Sequence, residues 1–243
     1  MTIMNSSISL FSKALLDYFN GDYTSTIVVR RDDGWEAALP VSVFYRDPDS
    51  FSPVEQKALS LCRGNILDTG AGAGIHSLYL QLAGLSVIAI DISAEACRIM
   101  ARRGVKDARC VDFFRLEHVQ ADTILFLGHG LGIAGTLSGL DPFLKRAQSL
   151  LKPKGQLLIH SIDVSCTDDP LHLAYHEKNR LSGKYMGEMK MQFEYKGAKG
   201  EWYDWLHVDP GTLTEHASQE GWKCEIILKE KEGDYLACLT LKE

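Results

Sequence analysis

Six cysteines are spread along the 243 residues, yet no two form a Cys-x-x-Cys pair: Cys62, Cys97, Cys110, Cys166, Cys224 and Cys238 stand apart, several of them inside apolar segments. That scatter argues against a zinc ribbon or a disulfide framework and predicts the reduced thiols of a cytoplasmic protein. A Lys/Arg-rich tract is also missing. With 26 basic against 32 acidic residues and a formal charge of −6, the chain lacks the concentrated basic face that phosphate binding needs, so no nucleic-acid partner is expected. The apolar stretch near the N-terminus is broken by Asn5, Lys13 and Asp17, which fits neither a signal peptide nor a membrane span, and no membrane partner is expected. His172 and His176 have the i, i+4 spacing of a metal pair but no accompanying glutamate motif, so no metal is expected.

The run Ile66-Leu67-Asp68-Thr69-Gly70-Ala71-Gly72-Ala73-Gly74 ends an apolar strand in glycines spaced G-x-G-x-G. A helical segment follows, and then a second apolar strand, Val87-Ile88-Ala89-Ile90, closes on Asp91. This is the layout of a nucleotide-binding βαβ unit. Glycines let the backbone turn tightly and approach a ligand where a Cβ would clash, and the next helix opens with free N–H groups. Asp91 falls where a carboxylate can accept from both hydroxyls of a ribose.

Further on, apolar strand patterns at 65–69, 86–90, 108–111, 122–127 and 155–161 alternate with helical patterns at 74–83, 94–103 and 139–151. Such alternation predicts a doubly wound α/β fold with a mostly parallel sheet. At the end of the chain, strands 224–228 and 235–241 are joined by Glu232-Gly233-Asp234, a connection short enough only for an antiparallel hairpin. Before the core, residues 6–19 have helical spacing, and Asp33-Gly34 marks a tight turn between strands 26–30 and 36–41. Ser52-Pro53-Val54-Glu55 is a capping box that starts a helix. Residues 1–62 therefore read as an N-terminal cap and 63–243 as the core, with an insertion at about 163–210 after the fifth core strand. That insertion has a helix over 171–181 and two alternating runs, 188–195 and 202–208, expected to form a hairpin that lengthens the sheet or covers the cofactor.

The glycine run with Asp91, the pair Asp112-Phe113 and the terminal hairpin, each at its place in the strand order, resembles the class I S-adenosylmethionine-dependent methyltransferases. The resemblance implies a seven-stranded sheet with its last strand antiparallel, and S-adenosylmethionine as cofactor. It further implies that Gly70, Gly72 and Gly74 face the methionyl part and that Asp68 orders the loop or reaches the amino group through water. By the same resemblance Asp91 holds the ribose, Ile92 touches adenine, and Asp112 and the Phe113 backbone meet its polar edge. Gly128, at the end of the fourth core strand, would border the sulfonium and the acceptor. The implied activity is methyl transfer to an oxygen or nitrogen of a small-molecule substrate. Two alternatives share the glycine turn: an NAD-dependent oxidoreductase, disfavoured by the G-x-G-x-G spacing and the Asp112-Phe113 pair, and a non-catalytic S-adenosylmethionine-binding sensor.

Methyl transfer depends mainly on positioning, but an acceptor that sheds a proton can use an imidazole near neutrality. His129 and His160 fall at the carboxyl ends of strands, the edge where open α/β sheets bind ligands, and are the catalytic candidates. On the inserted helix His172, Tyr175, His176 and Asn179 recur at i, i+3, i+4 and i+7 and share one face, which is either an acceptor site or a solvated surface. Trp202 is a further substrate-binding candidate, with hairpin packing as its plainer role.

Overall fold

A computed structural model describes residues 5–242; the first four residues of the expected N-terminal cap lie outside them. In chain order the elements are α1 (Ser6–Phe19), β1 (Thr26–Arg31), β2 (Glu36–Pro40), α2 (Pro53–Leu61), β3 (Asn65–Thr69), α3 (Ile75–Leu82), β4 (Ser86–Asp91), α4 (Ala94–Arg103) and β5 (Ala108–Cys110). They continue with β6 (Ala121–Phe126), α5 (Leu137–Ser149), β7 (Leu151–Ile162), α6 (Pro170–Leu181), β8 (Glu188–Tyr195), β9 (Ala198–Lys199), β10 (Tyr203–Leu206), α7 (Pro210–Gln219), β11 (Trp222–Lys229) and β12 (Asp234–Leu241). The main sheet has seven strands in the order β11-β12-β7-β6-β3-β4-β5. Within it β3 to β5 run parallel, as do β6 and β7, while β12 is antiparallel to β7 and to β11. This mostly parallel seven-stranded α/β sheet, with its terminal hairpin antiparallel, matches the architecture that the resemblance implies.

Two compact units divide the contacts. The first runs up to Phe51 and adds Asn65–His118 and Lys190–Tyr203. In α1 Ser7, Ala14 and Leu15, spaced i, i+7 and i+8, lie on one buried face, and Asn5 caps the helix by accepting from the Ser7 N–H at 2.8 Å. That face packs with Ile27, Val41, Ile99 and Tyr195, and burying a leucine side chain of this kind contributes about 1.5–3 kcal/mol. The β1–β2 hairpin pairs Thr26 with Pro40, as its Asp-Gly turn predicts.

Of the two roles expected of the insertion, lengthening the main sheet is not the one observed. Instead β8 pairs antiparallel with β1, placing Val28 opposite Glu194, and a second sheet forms in the order β10-β8-β1-β2 with β9 on β8. The physical reason is an open edge. A two-stranded hairpin is marginal alone, and β1 has a free edge that a distant strand can fill. Arg30 ties the seam by donating to Glu194 at 2.8 Å.

The second unit comprises Ser52–Gly64, Val119–Met189 and Asp204–Glu243. The capping box of α2 is present in both halves: the Ser52 hydroxyl accepts from the Glu55 N–H at 3.2 Å and the Glu55 carboxylate from the Ser52 N–H at 2.8 Å. β7 and β12 are buried through Leu157, Leu158, Ile159, Leu236, Ala237 and Leu239, the continuous apolar run of a central strand pair. In α6, Tyr175, His176 and Asn179 are buried, so the polar face turns inward.

Candidate active site

In the first unit the glycine run turns through three left-handed residues, Gly70 at φ +63°, Gly72 at +56° and Gly74 at +79°. A Cβ on Gly70 or Gly72 would meet no protein atom, whereas one on Gly74 would strike Val105 at 2.9 Å and Met100 at 3.0 Å. The first two glycines thus leave open space above the loop, and the third lets α3 start close against α4. Beneath the loop Asp68 is buried and its carboxylate accepts from the Ser77 hydroxyl at 2.6 Å, so it orders the turn; burial pushes its carboxyl upward against that hydrogen bond. Arg103 braces the same loop by donating to the Ala73 carbonyl at 2.6 Å while its guanidinium lies 5.0 Å over the Tyr45 ring.

Asp91, at the end of β4, accepts from the Gly72 N–H at 3.0 Å through Oδ2 and from the Ser93 N–H at 2.9 Å through Oδ1. A carboxylate has about four lone-pair positions, so two remain for the hydroxyls of a ribose. Ile92 beside it is an exposed apolar side chain. Asp112 caps a short turn by accepting from the Phe114 N–H at 2.9 Å, and Phe113 is buried behind it. Open glycines, a half-satisfied carboxylate and an exposed apolar flank fit an adenosyl ligand with an amino-acid tail.

In the second unit β6 leads into two successive left-handed residues, Gly128 at φ +58° and His129 at φ +59°. A non-glycine residue in this region is uncommon, and such strain collects at functional sites. The turn lifts His129 to Asp234, whose Oδ1 accepts from His129 Nε2 at 2.7 Å and from His160 Nε2 at 2.8 Å. His207 joins the group, its ring 5.3 Å from that of His129, which in turn lies 4.4 Å from His160. Burial pushes Asp234 upward, yet the two imidazole bonds hold its carboxyl well below the usual range. Burial pushes His160 down against the Asp234 bond, and burial with the neighbouring His129 brings His207 down to about 3. The result is an ionised carboxylate bonded to two imidazoles, with burial favouring the neutral forms of His160 and His207.

The structure therefore brings together both candidate histidines and adds two residues that the sequence reading missed. Asp234 lies in the segment read only as a hairpin connection; its register, Asp234 opposite Ile162 and Leu236 opposite His160, makes it a diagonal neighbour of His160 on one sheet face. The other candidates are placed differently. Asn179 donates to the Met186 and Glu188 carbonyls at 3.2 and 2.7 Å, which secures the chain after α6. His172, on the rim of α6, stands 4.0 Å from Asp169, Tyr175 and His176 are buried on the inward face, and Trp202 is an exposed residue of the first unit. Trp205 packs its indole where a Gly132 side chain would stand.

A family profile described as a methyltransferase domain matches residues 67–159, the stretch from the first core strand to the fifth. No curated protein sequence matches the chain. Among solved structures, an S-adenosylmethionine-dependent methyltransferase from Bacteroides fragilis, in complex with S-adenosyl-L-homocysteine, is 33% identical over 100% of this chain and 98% of its own, with a TM-score of 0.86. The chain belongs to the S-adenosylmethionine-dependent methyltransferases. Its cofactor is S-adenosylmethionine. The fold is shared more distantly by DhpI in a complex with SAM and HEP, at 19% identity over 97% of this methyltransferase and 96% of that chain, TM-score 0.61. It is shared also by the sugar N-methyltransferase KedS8 from Streptoalloteichus sp ATCC 53650, at 12% identity over 83% and 92%, TM-score 0.56. Membership in this family favours methyl transfer over the hydride-transfer and non-catalytic alternatives. No helix among the described residues of the methyltransferase is long and apolar enough to cross a membrane.

Proposed function

We propose that this methyltransferase acts on an oxygen or nitrogen of a small molecule, in the reducing environment that its six free thiols suit. The cofactor would lie along Asp68, Gly70, Gly72, Gly74, Asp91, Ile92, Asp112, Phe113 and Gly128, with its ribose on Asp91. When bound it supplies an electrophilic methyl group on sulfur. The chain's own residues then have two tasks, to hold the acceptor in line with that methyl and to receive its proton. His129 and His160 are the candidates for the second task, and α6, with His172 on its rim and Tyr175, His176 and Asn179 on its inward face, and Trp202 are the candidates for the first.

One observation carries this reading: a histidine in a left-handed turn at the end of β6, bonded to a carboxylate. A lone pair on the acceptor oxygen or nitrogen would form the new bond to the electrophilic methyl group that the bound cofactor supplies, and the proton that the acceptor sheds would pass to the imidazole. Similarity to KedS8 and to CalS10, described as an amino pentose methyltransferase, supports hydroxylated or amino-bearing acceptors, because the shared fold accommodates them. The test is calorimetric titration with S-adenosylhomocysteine, then a panel of amino and hydroxy sugars and simple amines read by S-adenosylhomocysteine release. Micromolar binding with turnover on at least one panel member is expected. Tight binding of NADH instead, or turnover only on a macromolecule, would overturn the reading.

A further inference from the structure

An ionised carboxylate can only accept hydrogen bonds. Both imidazole nitrogens that face Asp234 Oδ1, His129 Nε2 at 2.7 Å and His160 Nε2 at 2.8 Å, must therefore carry protons. In neutral rings this leaves the lone pairs on Nδ1. The two rings differ in what those lone pairs can reach. His160 Nδ1 is buried without a hydrogen-bond partner, and its Nε2 is committed to Asp234, so neither nitrogen of His160 is open to an acceptor. The His129 side chain is 32% exposed and its Nδ1 is not among the buried unpartnered atoms.

We infer that Asp234 is a positioning residue for methyl transfer: it holds His129 in the Nε2–H form, which makes Nδ1 the atom offered to the acceptor, and His160 acts only through the same carboxylate oxygen. The inference rests on His129 being the proton acceptor. After transfer the new proton sits on Nδ1, and the resulting imidazolium keeps its Nε2–H on Asp234 as an ion pair, so no proton moves onward to the carboxylate. The groups facing this array are His207 across the His129 ring and Glu55 toward His160. His160 stops the carboxylate from turning away, because its own N–H and the diagonal pairing of β7 with β12 hold the same oxygen in place.

The inference can be tested without knowing the acceptor. Long-range proton–nitrogen NMR of the histidine rings in the full-length protein should show His129 only as Nε2–H. In Asp234→Ala a population protonated on Nδ1 should appear, while Asp234→Glu, which keeps an acceptor-only carboxylate, should restore the wild-type form. S-adenosylhomocysteine affinity within about 3-fold of wild type would show that each variant is folded. On a responsive panel acceptor, Asp234→Ala should lose about 100-fold or more in kcat, with partial recovery in Asp234→Glu. A wild-type His129 protonated on Nδ1, or identical spectra in wild type and Asp234→Ala, would overturn the inference. So would stoichiometric binding of zinc that removes the Nε2–H signals, which would make the cluster a cation site. If His129→Gln leaves turnover intact while the NMR pattern holds, it is the role of His129 as base that fails.

Discussion

The glycine loop and the histidine cluster are built in opposite ways. Every element of the first comes from one stretch, 66–91, in which strand, turn, helix and carboxylate follow in chain order. The second draws His129, His160, His207 and Asp234 from four segments separated by 105 residues in sequence between its outermost members. A loop of the first kind is held by its own backbone geometry, whereas a cluster of the second kind depends on sheet register and on anchors far from it. The same contrast predicts where substitutions act: loop changes should move cofactor affinity, and cluster changes should move the chemical step.

The largest effect expected is that of His129→Gln. If His129 receives the proton, kcat on a responsive acceptor falls by about 100- to 10,000-fold, while S-adenosylhomocysteine affinity by calorimetry stays within about 3-fold. A matching loss of affinity would erase the division between the two regions. Next is Asp91→Ala, which removes hydrogen bonds to a charged acceptor worth about 1.5–3 kcal/mol each; with two ribose bonds lost, affinity should drop by about 100-fold or more. Asp91 also accepts from Gly72 and Ser93, so Asp91→Asn, which retains one acceptor oxygen, should fall between.

Much of the first region could be read in the sequence because it is local. The αL glycines obey short-range rules, as do features elsewhere in the chain: the capping box at Ser52, and the helix spans expected at 6–19 and 94–103, which match Ser6–Phe19 and Ala94–Arg103. The histidines could be placed at strand ends, but Asp234 could not be joined to them, since that needs the β7–β12 register. Periodicity likewise placed α6 and its polar positions, yet it could not say which way the face turns; the carbonyls of Met186 and Glu188 that take the Asn179 amide decide that. The second sheet escaped for the same reason, because β1 and β8 are separated by most of the chain.

A smaller effect separates the glycines from one another. Gly72→Ala puts a side chain at φ +56° into open space, so protein stability should fall by only about 1–2 kcal/mol while S-adenosylhomocysteine affinity falls further, about 10-fold. Gly74→Ala should do the reverse. Its Cβ would press on Val105 and Met100, so the melting temperature drops first and the affinity of the folded fraction is less affected. Equal behaviour of the two variants would mean that the loop's glycines serve packing alone.

The smallest effect concerns the anchors of the cluster. The segment carrying His207 is fixed by the Tyr235 hydroxyl donating to the Val208 carbonyl at 2.7 Å and by Asp209, which accepts from Tyr185 at 2.6 Å and caps α7 through the Thr212 N–H at 2.9 Å. Burial tends to raise the Asp209 carboxyl, but the hydrogen bonds from Thr212 and Tyr185 hold it below its usual value. A carboxyl with a depressed folded-state pKa contributes stability that is present above the unfolded value and is lost as pH falls through the folded one. Asp209→Ala should therefore cost about 1–2 kcal/mol near neutrality, a drop of about 2–8 °C in melting temperature. Followed by calorimetry, the gap between wild type and variant should stay constant above about pH 5 and narrow in more acidic buffer. Because this anchor lies two residues from His207, the variant should also lower turnover more than it lowers S-adenosylhomocysteine affinity, whereas a loop that is locally determined should not respond at all.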